Sequence, residues 1–202
     1  MIAAWPAAAD NARPVKIVAL GDSLTAGFGL PQQSAFTARL ARALAAKGAN
    51  ATVVDAGVSG DTASGGLGRL DWSVPDGTDA VILELGANDA LRGVDPAVTR
   101  KALDAILTRL NARKIPVLLC GMLAPPNMGG EYVGAFRRLY SELATTHDVV
   151  FYPFFLDGIA ADDKFNQRDG LHPNAAGVDV IVARILPKVE ELISRARGQR
   201  GS

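Results

Sequence analysis

Five short, nearly unbroken apolar runs limit what this chain can fold into: Val15–Leu20, Ala51–Asp55, Ala80–Leu85, Ile115–Gly121 and Val149–Tyr152. Runs this short, without polar alternation, fit parallel strands covered on both faces. Between them the apolar spacing turns helical. Ser34 is placed to cap "AFTARLARALAAKG", with Gly48 as its stop, and Asp95 and Pro96 open "DPAVTRKALDAILTRLNARK". "GEYVGAFRRLYSELATTH" and "NAAGVDVIVARILPKVEELISRAR" complete the set, the last expected to bend or break at Pro187. This alternation predicts an α/β fold, a three-layer α/β/α sandwich with right-handed crossovers.

The 202 residues fit one domain, and 49% hydrophobic against 21% charged residues supply a sizeable core. We expect that domain over residues 15–197, a flexible leader over 1–14 and a frayed tail over 198–202. Lys plus Arg and Asp plus Glu balance at 21 each, so no charge excess points to nucleic acid or an anionic membrane surface. No apolar run approaches the roughly 20 residues of a transmembrane helix. A single cysteine, Cys120, excludes an intrachain disulfide and a CxxC metal site. Ala7–Ala9 before Asp10 looks like the small-residue end of a signal peptide, which points to a periplasmic or secreted protein; a plain leader on a cytoplasmic protein is the alternative.

In open α/β sheets, ligands bind beyond the carboxyl ends of the strands, so the loops that follow them carry the functional information. After the first strand comes Gly21-Asp22-Ser23-Leu24, and after the second "AGVSGDTASGG". "GANDALRG" and "MLAPPNMGG" follow the third and fourth, and "NQRDGLHPN" precedes the last helix. The Ser23 hydroxyl there is a helix cap, a phosphate contact or a nucleophile. A nucleophilic serine needs a base, and the chain has two histidines. His147 ends a helix beside Asp148, where a cation suits the helix dipole, a structural role. His172 follows Asp169 by three residues, with Gly170 between them in a turn before Pro173, where a helix is expected to start. That spacing lets the carboxylate hold one ring nitrogen while the other faces outward; alternatively the pair only caps a turn and a helix. Acyl transfer also needs donors aimed at a developing oxyanion. Candidates are the N–H groups of Ser23 and Gly60 and the side-chain amide of Asn88, with no competing charge expected at that amide. Singly, Gly60 also reads as a turn glycine and Asn88 as a loop cap.

"GDSLTAG", "GVSGDT", "GAND" and "DGLHP", in this order, resemble the four motif blocks of the GDSL or SGNH hydrolases. Ser23, Gly60, Asn88 and His172 match the four letters of the family name, and Asp169 its remaining triad member. "ELGANDALRG", "PPNMGGEYVGAF" and "PFFLDGI" are similar to the bacterial multifunctional esterase, thioesterase and lysophospholipase branch, and the resemblance runs from about Val15 to Leu192. It implies a flavodoxin-like fold with a five-stranded sheet in order 2-1-3-4-5. It also implies Ser23 as nucleophile, His172 as base then acid, Asp169 orienting it, an oxyanion hole from Ser23 N–H, Gly60 N–H and Asn88, and no cofactor.

A metal-dependent phosphoesterase would gather Asp22, Asp61, Asp89 and Asp169 around His172, but leaves the serine, the asparagine and the glycines unexplained. We expect Asp22 instead to hold the nucleophile loop through backbone hydrogen bonds. A nucleotide-binding module lacks its G-x-G-x-x-G or GK[ST] signature, and the α/β-hydrolase G-x-S-x-G pattern fails at Thr25. Glu84, inside an otherwise apolar strand, is expected to hydrogen-bond to the loops beneath the site. Leu91, Met122, Leu123, Pro125, Pro126, Met128, Phe154 and Phe165 are candidates for an acyl groove. With no insertion long enough for a lid, we expect a shallow, open site for a small-molecule ester: short to medium acyl chains and aryl esters first. Thioesters and lysophospholipids follow from the resemblance, and a carbohydrate acetylesterase is the nearest alternative.

Overall fold

A computed structural model describes residues 13–200. Most of the expected leader, residues 1–12, and the last two positions of the expected tail lie outside the described residues. Each apolar run becomes a strand: β1 (Val15–Gly21), β2 (Ala51–Gly57), β3 (Ala80–Glu84), β4 (Val117–Cys120) and β5 (Val150–Tyr152). They form one parallel sheet in the order β2-β1-β3-β4-β5, with Ile17 paired to both Val53 and Ala80. β1 and β3 are almost wholly buried. β2 departs from the expectation of cover on both faces. It is the sheet's edge and packs against a helix, yet Val54 and Val58 remain 39% and 42% exposed on and just beyond it.

The helices are α1 (Ser23–Ala26), α2 (Phe36–Ala46), α3 (Ala63–Gly68), α4 (Leu70–Ser73), α5 (Ala87–Leu91), α6 (Pro96–Ala112), α7 (Gly130–Thr146) and α8 (Ala175–Arg200). α2 packs on α8, and α6 packs between α3 and α7, so the sheet is the middle of three layers. Val178, Ile181, Val182, Ile185, Val189 and Leu192 form the buried stripe of α8 at helical spacing.

Local details differ from expectation in four places. Ser34 does not cap α2: it closes a 3₁₀ turn at Gln32–Ser34, and Ala35 takes the cap position without a side-chain bond. Pro173 does not start α8, because Asn174 intervenes and its Oδ1 accepts from the Gly177 N–H at 3.0 Å. Pro187 sits inside α8 without ending it; Pro187 and Ala183, whose carbonyl loses its partner there, both lie on the exposed side. The helix also continues through Arg200, past the expected start of a frayed tail at 198. Asp95 behaves as expected, accepting from the Ala97 N–H at 2.8 Å with Pro96 at the first helical position.

This order places the site. β1 leads to β2 on one side of it and β3 leads to β4 on the other, so a crevice opens beyond the carboxyl ends of β1 and β3.

Candidate active site

Ser23 is the first residue of α1, immediately after β1, and only 9% exposed. Asp22 caps that short helix: its Oδ1 accepts from the Leu24 N–H at 3.0 Å, the backbone role expected of it. The turn fixes the Ser23 side chain toward the segment before α8. There His172 Nε2 lies 2.9 Å from Ser23 Oγ, and His172 Nδ1 lies 2.7 Å from Asp169 Oδ2. The other Asp169 oxygen accepts from the N–H groups of Leu171 and His172, at 2.9 and 3.0 Å. The His172 N–H, then that of Leu171, then the imidazole hold the Asp169 carboxyl down at about 2. An ionised Asp169 accepts only, so Nδ1 carries the ring proton and Nε2 presents its lone pair to the Ser23 hydroxyl. His147 is elsewhere, at the end of α7, with Nε2 2.7 Å from Asp104 Oδ1 on α6, which suits the structural role expected for it.

Gly60 has φ of +86°, the left-handed region a glycine enters without strain. Among the described residues, neither the Gly60 N–H nor the Ser23 N–H has an internal acceptor. The Ser23 N–H is thus unspent beside its own hydroxyl, and the Gly60 N–H is unspent on the loop after β2. Asn88 stands near the start of α5. Its Nδ2 donates to Asp22 Oδ2 at 3.1 Å and to the Asp61 carbonyl at 2.9 Å, so both hydrogens are engaged. Arg69 was not anticipated. Its guanidinium donates to Asp61 Oδ2 (2.6 Å), to the Ala56 and Gly21 carbonyls (2.8 Å each) and to Ser73 Oγ (2.9 Å). One side chain thereby fastens the ends of β1 and β2 to the loop that carries Gly60.

Glu84, fully buried, lies directly beneath this turn. Its Oε2 accepts from Thr25 Oγ1 at 2.8 Å and from the Asp22 N–H at 3.4 Å, while Oε1 has no partner. Burial first, and the neighbouring Asp22 second, push its carboxyl well above the ordinary range. Burial also lifts Asp22, to about 6, against the opposing pull of the Leu24 N–H and Asn88. Glu84 thus supports the loop as expected, through Thr25 and the Asp22 N–H.

The triad opens onto a cavity of about 530 Å³, within the usual range for small-molecule sites. The chain after β5 supplies one wall of it, with Phe154, Leu156, Ala160 and Ala161. Leu91, Met122, Leu123, Pro125, Pro126 and Phe154 line it, together with Ser23, Asn88 and His172. Met128 and Phe165 do not. Met128 packs at Gly93, and Phe165 lies under the Lys164 ammonium. The carboxylates of the metal alternative are dispersed on protein donors: Asp61 on Arg69, Asp89 on the Ala63 N–H and the Thr99 hydroxyl, Asp169 on His172. Among the described residues no three His, Cys, Asp or Glu side chains stand close enough to share an ion. A hydroxyl on an imidazole, a carboxylate behind the ring and an unspent Ser23 N–H at an apolar cavity together suit acyl transfer.

Residues 19–180 match the GDSL-like Lipase/Acylhydrolase family. The chain is similar to Esterase TesA of Pseudomonas aeruginosa, 36% identical over 178 residues that cover 88% of this chain and 89% of that one. It is also similar to the Arylesterase of Vibrio mimicus, 36% identical over 159 residues, 78% and 80% of the two chains. Among solved structures, that of AlinE4, an SGNH-hydrolase family esterase, superposes with a TM-score of 0.75 at 43% identity, over 89% of this chain and 96% of that one.

Proposed function

The chain belongs to the GDSL-like lipase/acylhydrolase family and is a carboxylic ester hydrolase, and from that premise we propose that it cleaves short- to medium-chain acyl and aryl esters through an acyl-enzyme on Ser23. The 2.9 Å contact of Ser23 Oγ with His172 Nε2, in a chain whose other histidine is paired with Asp104, carries this reading. His172 takes the hydroxyl proton as Oγ bonds to the ester carbonyl carbon. The N–H groups of Ser23 and Gly60 receive the oxyanion, joined by Asn88 as it shares one of its engaged hydrogens. His172 returns the proton to the departing alkoxide or phenoxide. Water, deprotonated by the same ring, then releases the acid and regenerates Ser23. Asp169 keeps the ring in the required tautomer and stabilises its cationic form.

The apolar cavity wall favours an acyl chain over a sugar as the group held against Ser23. None of the described helices is long and apolar enough to cross a membrane. The Ala7–Ala9 run supports action outside the cytoplasm, which cell fractionation decides. The central test is hydrolysis of a p-nitrophenyl ester chain-length series by wild type and Ser23→Ala, with and without EDTA. Turnover that ignores EDTA and is lost in Ser23→Ala is the expected outcome, and the optimal chain length measures the cavity. Turnover that survives the substitution, or dies with the chelator, would overturn the serine mechanism.

A further inference from the structure

Ser23 and His172 are 149 positions apart in sequence and lie on segments from opposite ends of the fold. Their hydrogen bond is made and broken in the proposed cycle, so it cannot by itself hold the two segments in register. Among the described residues, only one other hydrogen bond joins residues 22–30 to residues 165–174: Gln167 Nε2 to the Phe28 carbonyl, at 2.7 Å. The same Nε2 donates to the Pro173 carbonyl at 3.0 Å, and the Gln167 N–H donates to the His172 carbonyl at 2.8 Å. Phe28 is tied back in turn, its N–H donating to the carbonyl of Ser23 itself at 3.0 Å. A closed circuit results, from Ser23 through Phe28 and Gln167 to the backbone of His172, and back through the imidazole to the Ser23 hydroxyl.

Two further features shape this circuit around Gln167. The Phe28 ring lies on the His172 ring, centroids 4.6 Å apart and planes tilted by 37°, although Phe28 is half exposed. A half-exposed phenylalanine spends little area on the core; its contact is with the imidazole. Next to it, Gly29 has φ of +73°, and a Cβ there would stand 2.3 Å from Gln167 Oε1, so the amide fits only against a glycine.

We infer that Gln167 and Phe28 are positioning residues: Gln167 clamps the histidine segment onto the nucleophile turn, and Phe28 holds the imidazole plane on Ser23. Neither lines the acyl cavity, so their effect falls on turnover and not on substrate binding. The inference rests on the Ser23–His172 mechanism above.

The test compares Gln167→Met, which keeps length but loses both donated hydrogens, with Phe28→Leu and Phe28→Tyr. Steady-state hydrolysis of p-nitrophenyl butyrate and the rate of Ser23 modification by diisopropyl fluorophosphate are measured alongside thermal unfolding. Gln167→Met and Phe28→Leu are expected to lower kcat about 10- to 100-fold, the scale of a small misplacement of reacting groups, with KM within about twofold. The phosphorylation rate falls in step, Phe28→Tyr restores both rates, and the unfolding midpoint stays near that of wild type. Unchanged kcat in Gln167→Met, or a loss there that only tracks the unfolding midpoint, overturns the clamp; unchanged kcat in Phe28→Leu, or a Phe28→Tyr no more active than Phe28→Leu, overturns the role of the ring. Failure of the underlying mechanism is separable, since it shows as activity retained in Ser23→Ala.

Discussion

Asp22 and Ser23 are adjacent, yet one is spent on holding the site and the other is left free to react. Both Asp22 oxygens are occupied, by the Leu24 N–H and the Asn88 amide, whereas the Ser23 N–H is unspent and its hydroxyl faces His172. Asn88 lines the cavity and is held by Asp22 and the Asp61 carbonyl before any substrate arrives. Those two acceptors fix the plane of the amide, and one of its hydrogens is then shared with the oxyanion as charge develops. Asn88→Ala is therefore expected to lower kcat by about 10²–10³ with a much smaller change in KM. A loss confined to KM in steady-state assays would make Asn88 a substrate-binding group only. Ser23, Gly60, Asn88 and His172 were legible in the sequence because their chemistry lies in the side chain, or in its absence, at a strand's end. Arg69 and Gln167 were not, since they act on the carbonyl oxygens of Gly21 and Phe28, 48 and 139 positions away, which no residue letter encodes.

At the scale of elements, β3 does two jobs: it fills the middle of the sheet and delivers Glu84 beneath the nucleophile turn. The strand was legible from its apolar run and the odd carboxyl within it. The caps were less so, because Ser34 and Pro173 carry end-of-helix chemistry while the ends themselves are set one or two residues away by packing. α1, α3, α4 and α5 went unread, being too short to show a helical period, and α3 is half glycine. Glu84 yields a prediction with a definite sign. Its folded carboxyl titrates well above the ordinary 4.5, so the folded state keeps a proton that the unfolded chain gives up. The stability this confers is complete below the unfolded value and is lost as pH rises through the folded one. Glu84→Gln imitates the neutral acid and has no proton to lose. Its unfolding temperature is expected to gain on wild type as pH rises above the ordinary 4.5 toward the raised folded value. A constant offset across that range would mean that Glu84 is ionised in the folded protein.

On the scale of the whole molecule, a second fastening lies at the end of the sheet opposite the chemistry. The site crowds the carboxyl ends of β1 and β3, while Asp79, just before β3 begins, gathers the other end. Its carboxylate accepts from Arg13 at 2.7 and 3.0 Å, from the Lys16 N–H at 2.8 Å and from Arg200 Nε at 3.0 Å, with Arg200 Nη2 closing on the second oxygen. Arg200 also donates to the carbonyls of Arg13 and Pro14, so one acid joins the approach to β1, the start of β3 and the end of α8. Burial would raise the Asp79 carboxyl, but Arg200, the Lys16 N–H and Arg13 outweigh it and hold it below its ordinary value. Its stability contribution is therefore full at neutral pH and lost as pH falls through that lowered value. Asp79→Ala leaves the Arg200 side chain, only 9% exposed, without its carboxylate. The expected cost is on the order of 3 kcal/mol, or about 6–12 °C in unfolding temperature for a domain of this size. In acid the gap between variant and wild type should close, because wild type loses the same ion pairs on protonation. Ester hydrolysis well below the unfolding range should be unaffected, since a strand of five residues, about 17 Å, separates Asp79 from the turn that bears Ser23. A fall in kcat at that temperature, with the variant fully folded by circular dichroism, would show instead that the two ends of the sheet are mechanically coupled and that the fastening also tunes the site.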